Sequence, residues 1–123
     1  MPPDIVFGNA NTEAAKRSGW FLGHFITPID DPRSTHDLEV KWGIHKAGDC
    51  RTESASNIHA TTIAIIIQGK FCLKFPDQDI LLQHAGDYAL WRPGIAHTWV
   101  AQEDSTVLTV RWPSVSGDSV EVS

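Results

Sequence analysis

The chain has 123 residues, of which 15 are acidic and 10 basic, so its formal net charge is −5 with neutral histidines. This length fits one domain with a single core, which we take as residues 1–123. The negative charge and the scattered basic residues argue against a nucleic-acid partner, because such binding depends on clustered lysine and arginine. No stretch approaches the roughly 20 apolar residues of a membrane helix, so we expect a soluble protein with no membrane partner.

The N-terminus and the cysteines bear on location. Residues Met1 to Asp4 show no basic region followed by an apolar run, which predicts no secretory signal and a cytoplasmic location. The two cysteines, Cys50 and Cys72, lack CxxC spacing. We therefore interpret both as reduced thiols.

Short apolar or alternating runs fill the chain from Gly19 to Pro113, separated by Gly, Pro, Asp and Asn, with no sustained 3.6-residue period. This pattern predicts an all-β fold. A short helix is expected only near residues 12–16. The first predicted strand is 20–26, and the second, 38–45, alternates strictly between apolar and polar residues.

The second predicted strand has two different faces. Its apolar side chains are Leu38, Val40, Trp42 and Ile44, and its polar ones are Glu39, Lys41 and His45. If the polar face points into the protein, Lys41 and His45 become polar anchors of a pocket. If it points to water, both are surface residues. We favour the pocket for His45 and the surface for Lys41.

The remaining elements follow from the same signals. Residues 47–57 are polar and turn-rich, and they precede 61–67, the most β-prone segment, which we predict to be a central strand. Gln68-Gly69 predicts a tight hairpin to a strand at 70–75. Further strands are predicted around 80–82, 88–91, 97–101 and 106–112, and residues 114–123 are predicted to be a frayed, flexible tail.

One motif stands out between Gly86 and His97. There Gly86-Asp87 opens a strand, and a Pro93-Gly94 corner precedes His97. This resembles the second motif of the cupin family, G-x5-P-x-G-x2-H, with the proline one place late. Glycine allows the corner, proline stiffens it, and the histidine emerges on an interior-lining strand. The resemblance covers roughly residues 38–112 and implies a cupin-type jelly-roll barrel, a double-stranded β-helix, with its core at 19–113.

The first cupin motif, G-x5-H-x-H-x3-4-E-x6-G, would begin at Gly48 and end at Gly69. Thr62 stands where the family has its glutamate, and Ser54 and Ser56 stand where it has two histidines. This departure from the family pattern argues against metal-dependent chemistry.

The sequence also predicts one ligand pocket. Thr62 and Ala64 are two residues apart on one strand, so both side chains are expected to point inward. Their small size leaves space for a ligand. Trp99 shares the strand face of His97. Arg51 could grip a carboxylate through parallel donors, or lie solvated in a turn. The predicted pocket set is His97, Trp99, Thr62, Ala64, His45 and Arg51, and the metal-ligand alternative uses His97 with His45 or His59.

Two functions stay open at this point. The first is a cupin that binds or senses a small molecule, either uncharged, anionic or metal-bound, held by His97, Trp99 and His45. The second is a metal-dependent enzyme of dioxygenase, isomerase or lyase type. The cofactor is therefore undetermined, with a divalent metal as the alternative. A homodimer is also expected, because cupins of this size commonly pair and the aromatic strand 20–26 would otherwise expose an apolar edge.

Overall fold

The computed structural model describes residues 4–122. Their helical elements are α1 (Ala10–Glu13) and a 3₁₀ turn (Ala15–Arg17). Their strands are β1 (Trp20–Leu22), β2 (Glu39–His45), β3 (Cys50–Asn57), β4 (Thr61–Gln68), β5 (Phe71–Lys74), β6 (Asp79–Leu82), β7 (Tyr88–Trp91), β8 (His97–Ala101), β9 (Ser105–Trp112) and β10 (Ser119–Glu121).

The strands form two five-stranded antiparallel sheets. The first sheet has the order β1-β2-β9-β4-β7, and the second has the order β10-β3-β8-β5-β6. Buried apolar side chains of both sheets make one core, with Ile66 and Ala101 fully enclosed. The predicted all-β, double-stranded β-helix is confirmed, but the two sheets do not close into a continuous barrel.

Strand β4 occupies the interior position that its β-branched run predicts. It pairs with β9 on one side and with β7 on the other. Its inward residues, Thr62, Ala64 and Ile66, are each at most 2 % exposed. The small side chains at 62 and 64 leave more free space between the sheets than larger ones would.

The tight hairpin predicted at Gln68-Gly69 is wrong. Strand β4 belongs to the first sheet and β5 to the second, so the chain crosses between sheets there. Gly69 has φ of 108° and packs against the backbone of Asp104 and Ser105. A left-handed glycine beside that backbone provides a crossing corner as readily as a hairpin turn.

Two polar segments that were predicted to be irregular are in fact ordered. Residues 50–57, predicted as turn-rich, form β3 between β8 and β10. The predicted flexible tail also contributes: Ser114 is completely buried and β10 pairs with β3. Residues 50–57 have no apolar alternation, and the tail alternates only briefly at Val120 and Val122, so pairing with neighbouring strands determines their structure more than β-propensity does.

The helical segment lies where the sequence predicts it, although it is split in two. The Asn9 side chain accepts a hydrogen bond from the Asn11 amide at 2.9 Å and caps α1. Ala14, between the two turns, is only 1 % exposed. Among residues 4–122 the helical elements have at most four residues, too few for any of them to cross a bilayer.

Candidate functional site

A cavity of about 60 Å³ lies between the two sheets. Its polar lining consists of Lys41, His45, Arg51, His97, Thr109 and Arg111, and its apolar lining of Ala64, Phe71, Leu73, Trp91, Trp99 and Val107. No carboxylate belongs to this lining. The cavity is therefore surrounded by positive charge, imidazole and aromatic rings.

Strands β2 and β9 supply the cationic wall from the first sheet. Lys41 pairs with Thr109 across the two strands, and Glu39 pairs with Arg111, so all four side chains point inward. Ile44, on the other face of β2, is 58 % exposed. The polar face of β2 thus faces the interior, and the prediction that Lys41 is a surface residue is wrong.

The second sheet supplies the opposite wall. Arg51 of β3 pairs with Trp99 of β8, and its Nη2 donates a hydrogen bond to the His97 carbonyl at 2.8 Å. His97 Nδ1 lies 3.2 Å from the Ile95 carbonyl. A carbonyl only accepts, so Nδ1 carries the proton of this bond and Nε2 keeps its lone pair in the neutral ring.

Aromatic rings hold both histidines in place. The His45 ring centroid lies 4.5 Å from that of Trp99, which in turn stacks on Phe71 at 5.1 Å. The His97 ring lies 4.8 Å from Trp91. These contacts restrict the rotamers of both imidazoles and keep the cavity wall largely dry.

Burial among cations makes charge costly in this cavity. Burial, with smaller contributions from Arg111 and Arg51, lowers the pKa of Lys41 to about 8. Burial lowers the pKa of His45 to about 4, helped by Lys41, and likewise that of His97, where Arg51 and Arg111 add to the effect. Both imidazoles are therefore neutral near pH 7, whereas the lysine and the two arginines carry charge.

Glu39 offsets this charge only in part. Its Oε2 lies 3.4 Å from Nη1 of Arg111, while Oε1 accepts a hydrogen bond from the Ser114 hydroxyl at 2.8 Å. Burial lowers the pKa of both arginines despite this carboxylate. Lys41 and Arg51 make no ion pair with a carboxylate among the described residues.

Two arginine nitrogens also lack hydrogen-bond partners. Nε of Arg51 and Nε of Arg111 are both buried, and neither has an acceptor within the described residues. A buried donor without an acceptor is costly, so such groups usually face a ligand or an ordered water. Both donors thus point to an oxygen-bearing guest between the sheets.

The structure brings together most of the pocket set predicted from the sequence. His97, Trp99, Ala64, His45 and Arg51 all line the cavity. Thr62 does not: it is 1 % exposed and pairs with Trp91 and Arg111 on the neighbouring strands, one step beyond the cavity. Its buried hydroxyl lacks a hydrogen-bond partner in the described part of the chain.

Sequence reasoning missed three polar lining residues, Lys41, Thr109 and Arg111. A signal was present, since Thr109 and Arg111 alternate with apolar residues along β9. The same alternation in β2 placed Lys41 with His45. Two facing polar stripes on paired strands are the pattern that could have identified this wall.

His59 lies elsewhere. It follows β3, its side chain is 65 % exposed, and its Nδ1 lies 2.9 Å from Oδ1 of Asp118. It therefore does not join His45 and His97 at the cavity. Across residues 4–122, no group of three His, Cys, Asp or Glu side chains is arranged to hold a metal ion.

The residues that line the cavity do not fit a divalent metal ion, which the resemblance to the cupin family raised as an alternative. Metal sites of this kind need three or four imidazole or carboxylate ligands. Here two imidazoles share the lining with three cations, Lys41, Arg51 and Arg111, which would repel a divalent ion. The cavity instead has the chemistry of an anion site.

A larger pocket of about 430 Å³ adjoins the cavity on the outside. Its outer wall comes from the helical segment, including Ala10, Ala14 and Ser18, and its inner wall includes Lys41, His45 and Trp99. The same three inner residues line the cavity. They therefore form the boundary between the outer pocket and the cavity.

No protein-family model matches the chain, and no curated protein matches it in sequence. Solved structures do match. An uncharacterised protein with a double-stranded β-helix domain from Klebsiella pneumoniae superposes with a TM-score of 0.63 at 22 % identity, over 72 % of this chain and 77 % of that one.

Two further structures agree. KdgF from Halomonas sp. gives a TM-score of 0.58 at 23 % identity over 67 % of this chain and 74 % of its own. A cupin protein from Bacteroides fragilis gives 0.56 at 26 % identity over 65 % and 69 %. The chain therefore has the cupin fold, as its second motif implied.

Proposed function

We propose that this cupin-fold chain binds a small organic anion, with the anionic group in the cavity and the rest of the molecule in the outer pocket. The observation that carries the proposal is the convergence of Lys41, Arg51 and Arg111 on a space lined by no carboxylate. The unpartnered Nε donors of both arginines support it. A carboxylate accepts hydrogen bonds from arginine through two oxygens. It is therefore the simplest group that both neutralises the cations and gives the Nε donors an acceptor.

The volumes of the two spaces support binding of the anionic group in the cavity and of the rest of the molecule in the outer pocket. A cavity needs roughly 10–15 Å³ to hold one water, so a cavity of about 60 Å³ has room for a carboxylate and the atoms next to it. The outer pocket, at about 430 Å³, lies in the roughly 300–1,000 Å³ range of small-molecule sites. Trp99 and His45, at the boundary, offer ring faces to the organic body.

The metal-dependent enzyme is the less supported alternative. Its expected ligands were His97 with His45 or His59, and His59 is paired with Asp118 away from the cavity. The three cations that favour an anion disfavour a divalent ion by the same electrostatics.

The experiment is a titration with small carboxylates, followed by the fluorescence of Trp91 and Trp99, which line the cavity. Each carboxylate is compared with its uncharged amide. We expect Arg51→Gln to weaken carboxylate binding about tenfold or more, because it removes charge-assisted hydrogen bonds worth about 1.5–3 kcal/mol. Arg92→Gln, at an exposed position, serves as the control. Equal binding of acid and amide, or an unchanged affinity in Arg51→Gln, would refute the proposal.

We also propose that the chain forms a homodimer through the outer face of the first sheet. The outward side chains of β2, β9, β4 and β7 are all uncharged: Val40, Trp42, Ile44, Thr106, Leu108, Val110, Trp112, Thr61, Ile63, Ile65, Ile67, Tyr88 and Leu90. Several are well exposed, with Tyr88 at 63 % and Leu90 at 52 %. Interface cores are depleted of charge in this way.

The partner that this face fits is the same face of a second copy of the chain. Four strands about 4.8 Å apart and central strands of seven or eight residues give a face of roughly 19 by 25 Å. That flat area is more than half of the roughly 800 Å² of accessible surface that each partner buries in a standard interface. The edge at β1 is a weaker candidate, because the Trp20 ring packs 4.7 Å from the Arg111 guanidinium and 6.3 Å from Phe25.

A further inference from the structure

Lys41 has an unusual position for a lysine. It projects from β2 into the space between the sheets, at the boundary between the cavity and the outer pocket. Among the described residues it makes no ion pair with a carboxylate. A molecule entering from the outer pocket would meet its amine at the cavity entrance.

The charged groups around Lys41 favour an uncharged amine, whereas the Trp20 ring, whose centroid lies 5.8 Å from its Nζ, is at the outer range of a cation–π contact. Arg111 from β9 and Arg51 from β3 are both close enough to disfavour its charge, and His45 lies on the same face of β2. His97 faces it from β8. Burial, together with this repulsion, lowers the pKa of Lys41 to about 8, so about a tenth of the amine is unprotonated and nucleophilic at pH 7.

The size of the cavity restricts where a reacting group can be. Lys41 lines the same cavity of about 60 Å³ as Arg51 and Arg111, so a carboxylate held there has its neighbouring carbon close to the amine. An electrophilic carbon at that position lies next to the carboxylate carbon. That arrangement describes a 2-oxo acid.

We propose that Lys41 forms a reversible imine with the keto group of a small 2-oxo acid whose carboxylate is held by Arg51 and Arg111. The inference rests on the proposed anion binding and names the class of ligand. The Nζ lone pair attacks the keto carbon, and the resulting carbinolamine takes up one amine proton on oxygen. Loss of water then removes the former keto oxygen with both amine hydrogens and leaves C=N. Thr109, opposite Lys41 in the register, has a hydroxyl that can pass these protons.

The test uses the full chain with pyruvate and sodium borohydride, which reduces an imine to a stable secondary amine. Peptide mass spectrometry then locates the adduct. We expect it on Lys41 in large excess over the exposed Lys46, because only Lys41 lies beside the arginines that hold the carboxylate. Lys41→Arg keeps the positive charge and should abolish labelling, whereas Lys46→Arg should leave it unchanged. Lactate, which has the carboxylate but no keto group, should compete and slow the reaction.

The outcomes separate this inference from the proposed function. If pyruvate and lactate bind equally by fluorescence and no adduct forms, or if adducts are spread evenly over Lys41, Lys46 and Lys70, the imine is refuted and anion binding stands. If neither acid binds and no adduct forms, both proposals fail. Labelling of Lys41 that lactate does not slow also refutes the inference, because the adduct would then form without the carboxylate site.

Discussion

At the scale of single residues, His97 shows how burial determines a charge state. Its pKa is about 4 in the folded protein, against about 6.5 in an unfolded chain. Between these values the unfolded chain binds more protons, so the contribution of His97 to stability is complete above pH 6.5 and is lost as the pH falls through 4.

We therefore expect the free energy of unfolding to fall by about 3 kcal/mol between pH 7 and pH 4 on account of His97. Urea unfolding at several pH values measures this. His97→Gln should flatten the acid-side slope, whereas His84→Gln, at a side chain 80 % exposed, should leave it unchanged. A slope that His97→Gln does not alter would contradict the assignment.

The sequence shows which residues share a strand face, but it does not show whether that face points inward or outward. Alternation correctly grouped Lys41 with His45 and Thr62 with Ala64. The usual rule that apolar faces point inward then fails for β2, where Ile44 is 58 % exposed. A pocket on one side of the sheet and an apolar outer face on the other reverse the pattern, and nothing local in the sequence distinguishes the two.

At the scale of elements, polar segments were the ones that sequence patterns could not predict. β3 is almost entirely polar, and it forms because β8 and β10 pair with its two edges. Asp118 fixes the start of β10 by accepting hydrogen bonds from the residues that follow β3. By contrast, β4 and the strands around the Gly86 to His97 motif were predictable, because their own residues favour extended structure and defined corners. Pairing between strands that are distant in the sequence cannot be predicted from the residues of one strand.

Substitution of Asp118 tests whether the C-terminal residues hold β3 in place. Its carboxylate is 6 % exposed and accepts hydrogen bonds from the backbone amides of His59 at 2.8 Å and Ala60 at 3.1 Å, and from Asn57 Nδ2 at 3.1 Å. These bonds hold its pKa below the usual range. Asp118→Ala should lower the free energy of unfolding by about 2–4 kcal/mol, because it leaves buried donors without acceptors. Asp77→Ala, at an exposed turn, should change it little; equal effects in urea unfolding would show that residues 114–122 do not hold β3.

At the scale of the whole molecule, the two faces of the first sheet have opposite chemistry. The inner face presents Lys41 and Arg111 to a small cavity, and the outer face presents uncharged side chains from four neighbouring strands. A net charge of −5 keeps copies of the chain apart in general, so association must occur where charge is absent. The outer face is such a surface.

The dimer prediction follows from that contrast. In an isologous pair each substitution acts twice, so one lysine introduced on the outer face places two buried charges in the interface. We expect sedimentation to show a dimer at micromolar concentration for the unmodified chain and a monomer for Leu90→Lys. Ile58→Lys is the matched control, because Ile58 is 55 % exposed against 52 % for Leu90 but lies in the turn between β3 and β4, outside this face. A monomeric unmodified chain, or dissociation by Ile58→Lys alone, would show that the outer face does not pair. Trp42 and Ile44 of this face also line the outer pocket, so binding of a ligand that reaches that pocket should change when the dimer is lost. A carboxylate small enough for the cavity alone should bind Leu90→Lys within about twofold of the unmodified chain, because the inward side chains keep their positions.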